Sequence, residues 1–168
     1  MRLAFAVLGL ALAGLPAAAQ DVKTISTSGK WTAYTYQEDG KNVCYIASKP
    51  IKSEGNYKTR GEVLALVTHR PGENANDVVS IVAGYAYQPD SDVSVQVGSR
   101  KFTFFSFGER AWARDTQTDK TAVQAMIKGN SLSVRGTSSR GTPTVDTYSL
   151  QGFGAAYKAI GDACGVKG

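Results

Sequence analysis

An antiparallel all-β fold is predicted by three observations on the sequence. Apolar residues recur at every second position along most of the chain, turn-forming residues fall between these runs at short intervals, and only two segments carry helical spacing instead. Eight or nine short strands arranged in this way form a sandwich or a barrel.

The first residues belong to none of these elements. Arg2, the apolar run Leu3 to Leu15 and the small residues Ala17-Ala18-Ala19 before Gln20 have the make-up of a cleaved secretory leader over residues 1–19. The run is too short and too rich in Ala and Gly for a membrane anchor, and no later segment approaches the roughly 18 to 20 apolar residues of a spanning helix. The expectation is an exported, periplasmic or surface-associated protein. Residues 20–168 form its single domain, since a chain of this length buries about 68 to 70% of its unfolded surface around one core.

Lys30 to Tyr36 alternates in period two, and Glu38-Asp39-Gly40-Lys41 supplies an Asp-Gly turn into Val43 to Ser48, so the two runs form a hairpin. Further strands are predicted at Glu62 to Thr68, Val78 to Tyr87, Val93 to Val97, Lys101 to Phe107, Ala111 to Arg114, Leu132 to Gly136 and Thr144 to Leu150. Gly98-Ser99 makes a two-residue turn between Val97 and Arg100. Asp119 to Lys128 places Ala122, Val123, Met126 and Ile127 on one helical face, with Thr118 or Asp119 as cap and Gly129 as stop. Phe153, Ala156, Tyr157, Ile160 and Cys164 fall at i, i+3, i+4, i+7 and i+11, the stripe of an amphipathic C-terminal helix with a loose tail beyond it. Pro50 to Arg60 and Arg70 to Asp77 are polar surface connections, where binding residues concentrate.

Cys44 and Cys164 are the only cysteines, and an oxidising compartment makes their pairing the default. The bridge would close a loop of 120 residues and tie the terminal helix to an early strand. Two cysteines and the single His69 cannot supply a four-ligand zinc site without several carboxylates, and the chain implies no metal and no cofactor. The formal charge of +5 becomes +4 once Arg2 leaves with the leader. This mild excess is no nucleic-acid signature; it would steer the protein weakly toward anionic lipids or acidic glycans of the envelope.

Two candidate sites emerge. The turn Gly136-Thr137-Ser138-Ser139-Arg140-Gly141-Thr142 lacks the Lys and Ser/Thr of a phosphate-binding loop and the second Gly of a nucleophile elbow. Arg135, Ser138, Ser139, Arg140 and Thr142 would nevertheless offer guanidinium forks, hydroxyls and free backbone donors to a carboxylate, sulfate or phosphate. The competing reading is that Ser138, Ser139 and Arg140 satisfy their own hairpin and pair with a neighbour such as Asp146. The second candidate is an aromatic patch of Phe102, Phe104, Phe105, Phe107 and Trp112, extended by Tyr85 and Tyr87, as a protein-interaction surface; packing into the core is the alternative. His69, at a strand end, reads as a solvated loop histidine. No catalytic residue is assigned.

The order of motifs resembles the invasion-associated locus B proteins of alphaproteobacteria. It is carried by Trp31, Cys44, Pro50, Arg60-Gly61, Gly84-Tyr85, Ala111-Trp112, Met126, Gly129, the turn 136–142, Asp146-Thr147-Tyr148-Ser149-Leu150, Gly152-Phe153 and Cys164. The resemblance implies an exported, immunoglobulin-like antiparallel β-sandwich with a C-terminal helix, implies no enzyme, and transfers only the Cys44 to Cys164 pairing. The resulting expectation is a non-catalytic envelope protein that binds a protein or an anionic envelope component. Two other readings stay open: a small envelope hydrolase built on His69 with a serine or carboxylate, and a saccharide-binding module with a cleft lined by Trp31, Trp112 or the tyrosines.

Overall fold

The computed structural model describes residues 20–167, so the predicted leader lies outside the described residues. Eleven strands form one antiparallel sheet: β1 (Lys23–Ser28), β2 (Trp31–Glu38), β3 (Lys41–Ser48), β4 (Lys52–Gly55), β5 (Leu64–Arg70), β6 (Ala75–Val82), β7 (Asp92–Val97), β8 (Arg100–Phe107), β9 (Arg110–Ala113), β10 (Ser131–Thr137) and β11 (Pro143–Ser149). Among the described residues, two α-helices, α1 (Thr116–Lys128) and α2 (Phe153–Cys164), and a 3-10 turn at Pro71–Glu73 complete it.

The strand order is β1-β2-β3-β5-β6-β9-β8-β7-β10-β11-β4, and the sheet folds over until the start of β2 comes up to the end of β11. Where they meet, the Trp31 indole N–H donates to the Ser149 carbonyl at 2.9 Å and the Lys30 N–H to the Gln151 carbonyl at 3.0 Å. The β-sandwich is thus one ladder folded over, and its inward side chains share a single core with Trp31, Phe104, Tyr148 and Phe153 among the largest. Each such fully buried side chain contributes about 1.5 to 3 kcal/mol by leaving water.

Local chemistry sets the turns. Asp39 and Gly40 both have positive φ, 50° and 74°, as the two-residue β2–β3 hairpin requires, and Gly98 at φ 57° does the same between β7 and β8. β1 and β4 were not predicted, because Lys23–Ser28 and Lys52–Gly55 are polar and mostly exposed. They are the two edges of the sheet, held by backbone pairing to β2 and β11, and an edge strand needs no apolar alternation. The strand predicted over Val78 to Tyr87 stops at Val82, since Gly84 turns the chain at φ 68° and its carbonyl accepts from the Gly61 N–H at 2.8 Å.

α1 begins earlier than expected. Asp115, not Thr118 or Asp119, is the cap, its carboxylate accepting from the Thr118 N–H at 2.7 Å. Asp119 and Ala125 are buried where Ile127 was expected, and Ile127 is exposed. α2 follows its predicted stripe: Phe153, Ala156, Tyr157 and Ile160 are buried against β1, β2, β3 and β5, with Phe153 edge-on to Trp31 at 4.9 Å. Cys164 bonds Cys44 of β3, with the Cα atoms 6.0 Å apart. The tail beyond Cys164 starts in order, as the Gly165 and Val166 N–H groups close the helix onto the Gly161 carbonyl.

Candidate functional site

The turn after β10 is built by Ser138. Its N–H donates to the Thr142 carbonyl at 2.9 Å, its Oγ accepts from the Thr142 N–H at 3.1 Å, and its carbonyl accepts from the Gly141 N–H at 2.8 Å. The Ser139 N–H is taken by the Ala86 carbonyl at 2.7 Å. The free backbone donors expected here are therefore mostly used, and Ser138 is a buried structural residue. What the turn presents outward is the Arg140 side chain with the Ser139 hydroxyl.

These residues form one wall of a cleft of about 750 Å³. The opposite wall is the segment Asn56 to Arg60, and Gly61, Gly84 and Tyr85 lie between. At Gly84 a Cβ would press on the Gly61 carbonyl, so glycine is what lets these two backbones cross at the base of the cleft. Thr142 and Thr144 line the same wall as Arg140. Arg135 does not: it stands exposed on β10 opposite Ser94 and Val145, outside the cleft lining.

Beneath the cleft, behind Arg60, lies an ion pair that the sequence assigned differently. Asp146 does not pair with Arg140; it binds Arg60. The guanidinium donates from Nη1 to Oδ1 at 2.8 Å and from Nη2 to Oδ2 at 2.6 Å, and from Nε to the Ala83 carbonyl at 2.5 Å. Ser53 Oγ adds a bond to Oδ1 at 2.7 Å. Tyr57 and Tyr85 cover the guanidinium, its Cζ lying 5.4 Å and 4.8 Å from their ring centres. Burial alone would lower the Arg60 pKa; the Asp146 bonds and charge raise it on balance. Tyr85, whose own pKa is raised by burial, shares a hydroxyl hydrogen bond with Thr144 at 2.6 Å.

Arg60 is therefore committed to the fold. Lys58 and Arg140 are not, for both are exposed and neither forms an ion pair among the described residues. Among the described residues, no Asp or Glu lines the cleft. It is a small basic concavity with hydroxyls between its cations.

The aromatic candidate divides by strand parity. Phe104 is fully buried and Phe102 half-buried against the core, whereas Phe105 and Phe107 point outward, Phe107 to 80% exposure. Phe105 stacks on Trp112 at 5.7 Å, and Arg114 lies over the Phe105 ring at 5.9 Å. Tyr85 and Tyr87 do not extend this patch: Tyr85 covers Arg60, and Tyr87 is buried in the core. Trp31 is buried too and lines no cleft.

His69 is not a loop residue. It sits inside β5 at 1% exposure, its Nδ1 accepting from the Asp77 N–H at 3.1 Å and its ring edge-on to Tyr157 at 5.4 Å. Burial lowers its pKa, against the raising effect of Asp77, whose Oδ1 lies 3.8 Å away and accepts from the Tyr157 hydroxyl at 2.5 Å. Asp77 lies within reach of a general base, but an imidazole this enclosed meets no substrate from solvent. Among the described residues no group of three or more His, Cys, Asp or Glu is placed to hold a metal ion.

The sequence missed Tyr57, Lys58, Arg60 and Tyr85 as parts of one site. The polar loop from Pro50 to Arg60 was the available signal, but only folding brings it against the β10–β11 turn.

Residues 31–161 match the protein family described as Invasion associated locus B (IalB) protein. The fold is similar to the crystal structure of invasion associated protein b from Bartonella henselae, with a TM-score of 0.60 and 21% identity, over 84% of this chain and 96% of that one. No curated protein matches the chain.

Proposed function

We propose, from the premise that this chain belongs to the invasion associated locus B family, that it is an exported envelope protein that acts by binding, and that it takes an anionic group of its ligand into the cleft between Lys58 and Arg140. One observation carries this reading: two exposed cations face a hydroxyl-lined concavity that contains no acidic side chain among the described residues, above an ion pair that already neutralises Arg60. An arginine fork and an ammonium complement a phosphate, sulfate or carboxylate through charge-assisted hydrogen bonds. Exposed charges contribute only about 0.2 to 1 kcal/mol each, so binding is weak for a single anion, salt-sensitive, and strengthened where anions are repeated on a surface. The hydrolase reading receives no support, since its base would have to be the enclosed His69.

A protein partner is favoured by a separate observation, the outward Phe107 with the Phe105 and Trp112 stack, which presents apolar surface to solvent on β8 and β9.

The anion reading is tested with inorganic phosphate and with phosphatidylglycerol vesicles against phosphatidylcholine vesicles, at graded ionic strength. Saturable binding that falls with salt and drops about tenfold in a Lys58→Glu, Arg140→Glu variant supports it; a variant that binds like the parent overturns it. If Phe107→Ser abolishes capture of an envelope protein while vesicle binding is unchanged, the two surfaces serve different partners. Export is tested by fractionation: full-length chain in the cytosol with both thiols reduced would contradict it.

A further inference from the structure

Both helices lie on the core side of the sheet, with α2 against β1, β2, β3 and β5, so neither helix covers the opposite face of these four strands. The hydrogen-bond register says what that face carries. Tyr34 stands opposite Tyr45, Tyr45 opposite Thr68, and Ala47 opposite Leu66, and cross-strand partners project to the same side. The Tyr34 and Tyr45 rings stack at 4.9 Å and 20°, and Tyr36 meets Tyr45 edge-on at 6.2 Å. All three are half-buried. They line a trough of about 1180 Å³ that runs on to Arg110 of β9 and holds the threonine hydroxyls of Thr27, Thr32 and Thr68.

We propose that this trough is a second binding site, distinct from the Arg140 cleft, and that its occupant is an acidic glycan chain laid across the tyrosines. Its floor decides against a peptide strand. β2, β3 and β5 are each paired on both sides, so their main-chain donors and acceptors are spent and cannot add another strand. Recognition must come from ring faces and hydroxyls, and the occupant must offer flat C–H faces edged by hydroxyl groups, as a pyranose does. The charge of the lining is one-sided. Lys30, Lys49, Arg70 and Arg110 border the trough against a single acid, Glu62; Lys49 pairs with Glu62 at 3.3 Å and Arg70 with Glu38, which leaves Lys30 and Arg110 without an ion pair among the described residues. Carboxylates along the glycan complement them. Burial, and then Tyr34 and Tyr36, raise the Tyr45 pKa, so its hydroxyl remains a proton donor to a sugar oxygen.

The probe is a uronic-acid hexasaccharide, with neutral maltohexaose as its comparison, titrated by calorimetry and tyrosine fluorescence at physiological salt. The expected result is saturable binding of the acidic hexamer, weakened about tenfold by Tyr34→Ala or Tyr45→Ala and weakened by Arg110→Ala for the acidic sugar more than for the neutral one. Lys58→Glu with Arg140→Glu leaves this binding unchanged, which separates the trough from the cleft. If Tyr45→Ala fails to fold, Tyr45→Phe keeps the stacked ring and reads the loss of the hydroxyl alone. Absence of saturable binding by either hexasaccharide, or full affinity in folded Tyr34 and Tyr45 variants, overturns the proposal.

Discussion

Asp146 and Asp119 are both buried carboxylates, 2% and 8% exposed, and the fold treats them in opposite ways. Asp146 receives the Arg60 guanidinium on both oxygens and the Ser53 hydroxyl as well, so its charge is met. Asp119 receives one donor, the Val79 N–H at 2.9 Å, with no cation beside it and Asp77 nearby. Burial therefore pushes its pKa up to about 6, despite that hydrogen bond. Burial sets the penalty for a carboxylate, and the number and charge of its donors decide whether it stays ionised. The Asp146 cluster braces the base of the cleft with opposite charges matched, whereas Asp119 of α1 and His69 of β5, each beside Asp77, have pKa values that burial shifts in opposite directions.

The largest effect is expected from Asp146→Ala, which strands Arg60 as a buried charge and costs about 3 to 5 kcal/mol. Denaturant midpoints at neutral pH measure it, and a loss below about 1 kcal/mol would mean that water enters and rescues Arg60. Reducing the Cys44 to Cys164 bridge comes next, at about 2 to 4 kcal/mol. It frees α2, which carries Tyr157, so hydrogen exchange should rise around His69 and Asp77 while β11 and the Arg60 pair stay protected. Equal loss of protection in both clusters would make them one cooperative unit.

Acidity separates the clusters more finely. The folded pKa of Asp119, about 6, lies above its usual 3.8, so its contribution to stability is fully present below that lower value and is lost as pH rises through 6. His69 is lowered from 6.5, so its contribution is present above 6.5 and is lost as pH falls through the folded value. The two oppose each other between about pH 4 and 6.5. Asp119→Asn keeps an acceptor for Val79 and removes only the first effect, so on going from about pH 7 to 5 this variant should lose stability more steeply than the parent; parallel curves would remove Asp119 from the account. The smallest effect belongs to the cleft rim. Lys58→Glu with Arg140→Glu should shift stability by no more than about 0.5 kcal/mol per site, because neither side chain is used by the fold; a larger shift would make the rim structural.

Legibility followed how local the signal was. Asp39-Gly40 and Gly98 announced their hairpins because positive φ is a property of single residues, and the α2 stripe was visible because five side chains at helical spacing need no partner to be recognised. The early start of α1 was missed because Asp115 reads as loop until its carboxylate is seen on the Thr118 N–H. The sequence reading ends this strand at Thr68 and so leaves His69 in solvent, whereas β5 runs on to Arg70 and puts His69 on the buried side with Ala65 and Val67. The sequence singles out the turn 136–142 as a candidate anion-binding turn, but Asn56 to Arg60, which lines the same cleft, lies far away in sequence and carries no periodicity to link the two.

Alone, the sequence determined the β-rich class, the hairpin turns, the terminal helix and the only two thiols available for a bridge, because each of these follows from neighbouring residues or from a count. The tertiary structure decided which charges are spent and which are free: that Arg60 rather than Arg140 serves Asp146, that His69 is enclosed, and that the tyrosines of β2 and β3 face outward together. The reason is that burial and pairing depend on strand order in a sheet that folds over on itself, and residues tens of positions apart acquire their chemistry only when that order brings them within hydrogen-bonding distance.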